Sequence, residues 1–157
     1  MNLVSVIITC YNSQDTIERA IISALDQDWS NIEIIVIDDC STDQSYKILK
    51  KISAKESCIS LLRNNSNLGY PASLNIAIGK SRGEFIAIFD DDDENKKNRI
   101  SLQVERILEF ESKNNKPYIL CYSNRNIFKT GEHIPDHVAY AIGRKDPEPF
   151  GEEVAEY

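Results

Sequence analysis

The sequence lacks several features that would assign it to a familiar class of protein. No apolar run approaches the roughly 20 residues that a membrane-spanning helix requires. The apolar stretch Leu3–Cys10 is too short for the core of a signal peptide and has no basic leader. The four cysteines are far apart and contain no Cys-x-x-Cys pair, as in proteins of reducing compartments where cysteines act as small hydrophobes. We therefore expect a cytoplasmic protein without a membrane span.

Positive charge is also scarce. The formal net charge is −7 and no basic cluster is present, which argues against a nucleic-acid-binding protein. An anionic small molecule remains compatible with this charge, because a divalent cation held by carboxylates can reverse the local field. With 157 residues, 41% hydrophobic and 27% charged, the chain is typical of one globular domain that needs no disulfide or metal for its core.

Short β-rich runs alternate with helical periods along the chain. In the first helical period, Ile17, Ala20, Ile21, Ala24 and Leu25 fall on one face. The alternation predicts an α/β fold with a mainly parallel central sheet and helices on both faces. We predict a core over residues 1–129 and an irregular, proline-containing segment over 130–157, whose end resembles the start of another helix. The predicted strands are Val4–Thr9, Ile32–Ile37, Ile59–Leu62, Phe85–Phe89 and Tyr118–Tyr122.

Polar side chains follow three of the predicted strands. They are found in Thr9–Asn12, in Asp38-Asp39 and in the acidic run Asp90–Asp93. Open parallel sheets bind ligands at the carboxyl ends of their strands, so these three segments are expected to form one site. Adjacent carboxylates repel one another unless a cation neutralises them, and hard oxygen ligands suit magnesium or manganese. The alternative is a solvated acidic turn before a helix.

The other two segments also have ordinary structural explanations. Asp38 or Asp39 could cap the next helix, and Tyr11 could be a half-buried aromatic beside the first strand. They become candidates for function because the sheet would bring them beside the acidic run.

Other nucleotide- and phosphate-binding α/β proteins do not fit the chain. The segment after the first strand has no Gly-x-Gly-x-x-Gly, and a Walker phosphate loop is absent. A phosphate-receiver domain would carry its acidic pair after the first strand, whereas here the pair follows the second. A dehalogenase-type phosphatase would need an early Asp-x-Asp followed by threonine, and a sugar nucleotidyltransferase would need a glycine-rich loop with an arginine.

Four further motifs are found along the chain, namely Val4–Asn12, Ile35–Asp43, Asn67-Leu68-Gly69 and Gly83–Asp93. In their order and spacing they resemble the N-terminal part of family 2 glycosyltransferases of the GT-A fold. The resemblance runs from about Leu3 to Tyr122, and more faintly to the end of the chain. It implies a Rossmann-like nucleotide-sugar-binding domain.

The resemblance implies a role for several residues in binding the nucleotide. Tyr11 is expected beside the nucleobase with Thr9, and Asp39 is expected to accept from a base N–H. Asp91 is expected near the ribose. Asn67 and Gly69 are expected to shape a loop over the nucleotide.

The resemblance also implies a metal site in the acidic run. Asp92 is expected to bind a divalent cation, Mn²⁺ or Mg²⁺, that bridges the two phosphates, and Asp90 is expected to support it. The chain departs from the family pattern at three positions, where Leu74 replaces a frequent arginine, Lys97 a frequent proline and Cys40 a typical glycine. These differences bear on which nucleotide is bound.

The implied activity is that of a metal-dependent, inverting hexosyltransferase of polysaccharide biosynthesis. A UDP-sugar is the expected donor, and a hydroxyl of a carbohydrate or lipid-linked acceptor attacks the anomeric carbon. In the family the general base lies in a later segment, which we expect beyond residue 157, so the chain is expected to be truncated and inactive alone. The alternatives are a non-catalytic nucleotide-sugar-binding domain and a scaffold that binds neither ligand.

Overall fold

A computed structural model describes residues 1–114, 120–129 and 132–144. Six strands and four helices lie in these residues. The strands are β1 (Val4–Cys10), β2 (Ile32–Asp38), β3 (Ile59–Arg63), β4 (Phe85–Phe89), β5 (Leu120–Lys129) and β6 (Glu132–Arg144). The helices are α1 (Ile17–Leu25), α2 (Ser45–Ser53), α3 (Tyr70–Lys80) and α4 (Arg99–Asn114).

The six strands form one sheet in the order β3-β2-β1-β4-β6-β5. Strands β1 to β4 are parallel, whereas β6 runs antiparallel to both β4 and β5. Ile8 pairs with Val36 of β2 on one side and with Phe89 of β4 on the other. The carboxyl ends of these three strands therefore meet at one edge, where the chain order reverses around β1 and where open α/β sheets bind ligands.

Helices cover both faces of the sheet, as the sequence predicted. Val4, Val6 and Ile8 of β1 belong to a buried cluster that contains residues of α1, α2 and α4. Ile7 belongs to a second cluster on the opposite face, which contains Ala77 of α3. Successive residues of a strand point to opposite faces, so a run such as β1 that is apolar throughout must be covered on both.

Strand β6 differs from the sequence-based prediction. An irregular segment was expected from residue 130, whereas Glu132–Arg144 forms a strand that pairs with β5 and, near its end, with β4. Pro135 lies where the described pairing of β6 is with β5 alone, a position at which a missing N–H is tolerated. The polar residues and this proline interrupt the alternating apolar pattern from which a strand is predicted. The first two residues of the predicted strand Tyr118–Tyr122 lie outside the described residues, and so does the predicted helix start at Gly151–Tyr157. The division of the chain at Lys129 stays a prediction.

None of the helices in the described residues is both long and apolar enough to cross a membrane. Helix α3 begins at Tyr70, because Pro71 suits the first turn of a helix, where its missing N–H costs nothing.

Candidate functional site

A pocket of about 220 Å³ opens at the carboxyl edge of the sheet. It lies over the ends of β1, β2 and β4, and the start of α3 forms its other wall. The three polar segments that the sequence predicted to meet are thus brought together. The lining residues are Thr9, Cys10, Tyr11, Asp39, Tyr70, Ser73, Asp90, Asp91 and Asp92.

Asp39 is buried at the end of β2, and its carboxylate accepts hydrogen bonds from the protein at both oxygens. Oδ1 accepts from the Asn64 side-chain amide at 2.7 Å and from Leu68 N at 2.9 Å. Oδ2 accepts from Gly69 N at 2.8 Å. Burial raises the pKa of Asp39, but hydrogen bonds from Leu68, Asn64, Ser73 and Gly69 outweigh burial and hold the pKa below its ordinary value. The carboxylate therefore ties β2 to the 64–69 loop and to the start of α3.

Asn67 and Gly69 are hydrogen-bonded within that loop, and a position of the loop over a nucleotide stays a prediction. Gly69 has φ of 82°, in the left-handed region that favours glycine, and it directly precedes α3. Asn67 Oδ1 accepts from Gly69 N at 3.0 Å, so this N–H is shared between Asn67 and Asp39. Neither Asn67 nor Gly69 is among the described residues that line the pocket; they lie in the loop before α3, whose first residues form part of the pocket wall.

Asp91 turns its carboxylate toward the segment after β1. Its Oδ2 accepts from Tyr11 N at 3.2 Å and from the Ser13 hydroxyl. Burial raises the pKa of Asp91, the hydrogen bonds from Ser13 and Tyr11 lower it, the charge of Asp92 raises it, and the net shift is upward. Tyr11 keeps its side chain 46% exposed at the pocket, so a flat ligand can reach its ring.

The remaining three carboxylates of the acidic run form a cluster. Asp90, Asp92 and Asp93 each offer one oxygen, and these oxygens lie within 4.8 Å of one another. Hard, anionic oxygens at this spacing fit a divalent cation such as Mg²⁺ or Mn²⁺. The cluster contains both predicted metal ligands, Asp92 and Asp90. It also contains Asp93, which sequence reasoning left without a role because the direction of each side chain in a turn depends on backbone angles that a run of identical residues does not reveal.

Two residues of the pocket wall were missed by the sequence-based reasoning. Tyr70 and Ser73 reach the pocket because α3 starts beside the end of β2, and no motif marks that proximity. The pKa of the Cys10 thiol is raised to about 12 by burial and by the charges of Asp91 and Asp38, so this cysteine stays protonated and unreactive.

The fold and the site define a Rossmann-like nucleotide-sugar-binding domain of the GT-A type. The family profile described as Glycosyl transferase family 2 matches residues 5–145. The chain therefore belongs to glycosyltransferase family 2.

Two curated relatives from Escherichia coli show the extent of the similarity. The UDP-Glc:alpha-D-GlcNAc-diphosphoundecaprenol beta-1,3-glucosyltransferase WfaP is 43% identical over 104 residues, which are 66% of this chain and 41% of that protein. The enzyme of the same description named WfgD is 34% identical over 138 residues, 87% of this chain and 51% of that protein. The chain thus spans about half or less of the length of these relatives.

A solved structure shares the fold. Residues 1–349 of TarS from S. aureus, in complex with UDP-GlcNAc, superpose with a TM-score of 0.61 at 29% identity. The superposition covers 76% of this chain and 34% of that one. The similarity to this structure therefore extends to the three-dimensional fold.

Proposed function

We propose that this domain binds a nucleoside-diphospho-sugar, a UDP-sugar, through a divalent cation and holds the sugar for transfer with inversion to an acceptor hydroxyl. The observation that carries the proposal is the pocket at the ends of β1, β2 and β4, with the Asp90, Asp92 and Asp93 oxygens within 4.8 Å of one another. The names of similar proteins support a uridine nucleotide, since WfaP is described by a UDP-Glc donor and TarS was solved with UDP-GlcNAc.

The charge of the pocket favours a metal-dependent mode of binding. A diphosphate is anionic, and the pocket lining in the described residues contains four aspartates and no lysine or arginine. Direct contact of the phosphates with these carboxylates would be repulsive, so a cation is needed between them. We assign this cation to Asp92, with Asp90 and Asp93 beside it. When bound, it would supply Lewis-acid stabilisation of the charge that develops on the leaving diphosphate, a contribution on the order of several kcal/mol.

We assign the nucleoside to the part of the pocket near β1 and β2. The base stacks on the exposed Tyr11 ring, and Thr9 lines the same pocket. Asp91 accepts from a ribose hydroxyl while Ser13 holds its Oδ2. Asp39 holds the 64–69 loop and also lines the pocket, and its Oδ2 has a lone pair for a base N–H, the role that the resemblance implied.

Transfer with inversion also requires a carboxylate that takes the proton of the acceptor hydroxyl as it attacks the anomeric carbon. The pocket aspartates of the described residues are engaged, Asp39 and Asp91 by protein donors and the acidic run by the cation. We therefore assign the base to none of them. The same observation favours a second candidate function, in which this chain binds the donor and does not transfer the sugar.

We infer the acceptor class from a relative and the compartment from the cysteines. A lipid-linked carbohydrate is the acceptor class that the name of WfaP indicates. The four cysteines are free, which agrees with a reducing compartment, and we place the domain in the cytoplasm.

Titration calorimetry of the chain with UDP, with and without Mn²⁺, tests the proposal. We expect heat of binding with Mn²⁺ and at least about tenfold weaker binding after chelation, because the phosphates then face the aspartates unscreened. Absence of binding in both conditions would reject both functions. Binding without turnover on a lipid-linked acceptor would favour the second.

A further inference from the structure

The first residue of α4, Arg99, is a buried cation in an unfavourable place for a helix. Its exposed fraction is 7%, although the N-terminal end of a helix repels positive charge. A buried guanidinium is also costly unless its N–H groups are hydrogen-bonded. Neither the stability of the helix nor the hydrophobic effect explains an arginine at this position. The explanation therefore lies in the contacts that its side chain makes.

Those contacts join the two ends of the acidic turn, residues 90–94. Nη2 of Arg99 donates to the carbonyl oxygen of Ile88 at 3.0 Å, just before the turn, and Nη1 donates to Asn95 Oδ1, just after it. The guanidinium lies over the Phe89 ring, 4.4 Å from its centroid. Nε donates to Gln103 Oε1 at 3.2 Å, one turn further along α4. One side chain thus fixes the spacing between the strand end and the helix start.

We propose that Arg99 is a positioning residue for the metal site, which rests on the proposed function. By holding Ile88 and Asn95 at a fixed separation, it sets the geometry in which the Asp90, Asp92 and Asp93 oxygens converge before any cation is bound. Lysine cannot replace it, because a single ammonium cannot reach both ends of the turn while it stacks on Phe89. Groups that orient metal ligands from behind contribute about 10- to 100-fold to metal affinity.

The sign of the effect separates positioning from simple electrostatics. A buried cation close to carboxylates weakens their attraction for a second cation, so electrostatics alone predicts that Arg99→Met tightens Mn²⁺ binding and that Arg99→Lys leaves it unchanged. Positioning predicts that both variants weaken it. Arg106→Gln, which removes an exposed arginine of the same helix, is the matched control.

The experiment measures Mn²⁺ affinity from the electron paramagnetic resonance signal of the free ion, and amide hydrogen exchange in the metal-free protein. We expect Arg99→Lys and Arg99→Met to lose about 10- to 100-fold in Mn²⁺ affinity, and the amides of residues 91–98 to exchange about tenfold faster or more. Arg106→Gln should match the wild type in both measurements. Unchanged exchange in Arg99→Lys, or unchanged or tighter Mn²⁺ binding in either Arg99 variant, overturns the proposal.

The experiment also tests the proposal if the Arg99 variants do not fold or if the wild type binds no Mn²⁺. If the Arg99 variants do not fold, Asn95→Ala removes one anchor of the turn and should weaken Mn²⁺ binding several-fold, and unchanged affinity and exchange in Asn95→Ala reject the proposal. If the wild type binds no Mn²⁺, the proposed function fails, while the exchange measurement on the metal-free protein still decides whether Arg99 orders the turn.

Discussion

Gly69 donates its main-chain N–H to the Asp39 carboxylate at 2.8 Å, which joins the end of β2 to the start of α3. Leu68 N and the Asn64 side chain donate to the same carboxylate, so this one buried group orders the whole 64–69 loop. A carboxylate engaged in this way is first a structural anchor of the pocket wall. This role can be measured without any ligand.

Asp39→Asn is expected to lower the free energy of unfolding by about 2 kcal/mol or more. In either orientation the carboxamide NH₂ faces the N–H of Leu68 or Gly69 where the carboxylate offered an acceptor, so this buried NH₂ group is left unpaired. Denaturant unfolding measures the loss. Asp26→Asn is the control, because Asp26 forms only an exposed ion pair with Lys97 and should cost less than about 1 kcal/mol. Equal losses in the two variants would contradict the anchoring role.

The stability of the domain should fall in acid in a way that depends on Asp39. Because the folded-state pKa of Asp39 lies below the ordinary value of 3.8, its contribution is present above that value and is lost as the pH falls through the folded pKa. Glu33 shifts in the same direction from 4.5: burial raises its pKa, and hydrogen bonds from Ser5 and Arg82 outweigh burial. Unfolding free energies measured from about pH 6 to about pH 3 should therefore decline, and decline less in Asp39→Asn. Parallel curves for the two proteins would argue against it.

Asp92→Ala should remove the metal dependence of UDP binding and leave the fold intact. Asp92 is exposed, so the loss of its side chain costs little stability, but the cation loses a ligand. Calorimetry with and without Mn²⁺ measures the effect. Glu94→Ala is the matched control, since Glu94 is an exposed neighbour that lies outside the cluster of three. Retained metal dependence in Asp92→Ala would reject this residue as the principal ligand.

Tyr11→Ala should weaken UDP binding by about 5- to 150-fold through loss of stacking on the base, which is worth about 1–3 kcal/mol. The melting temperature should change little, because the ring is 46% exposed. Phe110→Ala removes an equally exposed aromatic side chain from α4 and should leave the affinity unchanged. If both variants bind UDP as tightly as the wild type, the base does not lie on Tyr11.

Gly83→Ala should destabilise the domain by about 2–3 kcal/mol. A Cβ at Gly83 would lie 2.5 Å from the main-chain nitrogen and hydroxyl of Ser5 and 2.8 Å from the carbonyl oxygen of Phe85, and main chain cannot move aside cheaply. Gly79→Ala is the matched control: a Cβ there meets nothing within 4 Å, and alanine in place of an exposed helical glycine should stabilise by about 0.5–1 kcal/mol. Thermal unfolding distinguishes the two, and similar shifts would contradict the packing at Gly83.

Local pattern alone determined the elements of the parallel core. Strand β4 was predicted at its observed bounds, and the apolar face of α1 was predicted by the 3.6-residue period. Those signals are strong because each element buries a continuous apolar surface. The pattern failed at β6, where Pro135 and interspersed polar residues break the alternation and where pairing with β5 and β4 stabilises the element.

The sequence also indicated which residues would lie near one another at the site. Because parallel strands end at a common edge, Thr9, Tyr11, Asp39 and the acidic run could be expected close together. In the structure one pocket is lined by Thr9, Tyr11, Asp39 and Asp90–Asp92. The direction of each side chain was decided only by the tertiary structure. Asp39 faces the loop amides, Asp91 faces Ser13, and Asp93 joins the cation cluster. Hydrogen-bond donors distant in sequence fix these directions, and no local period records where those donors will lie.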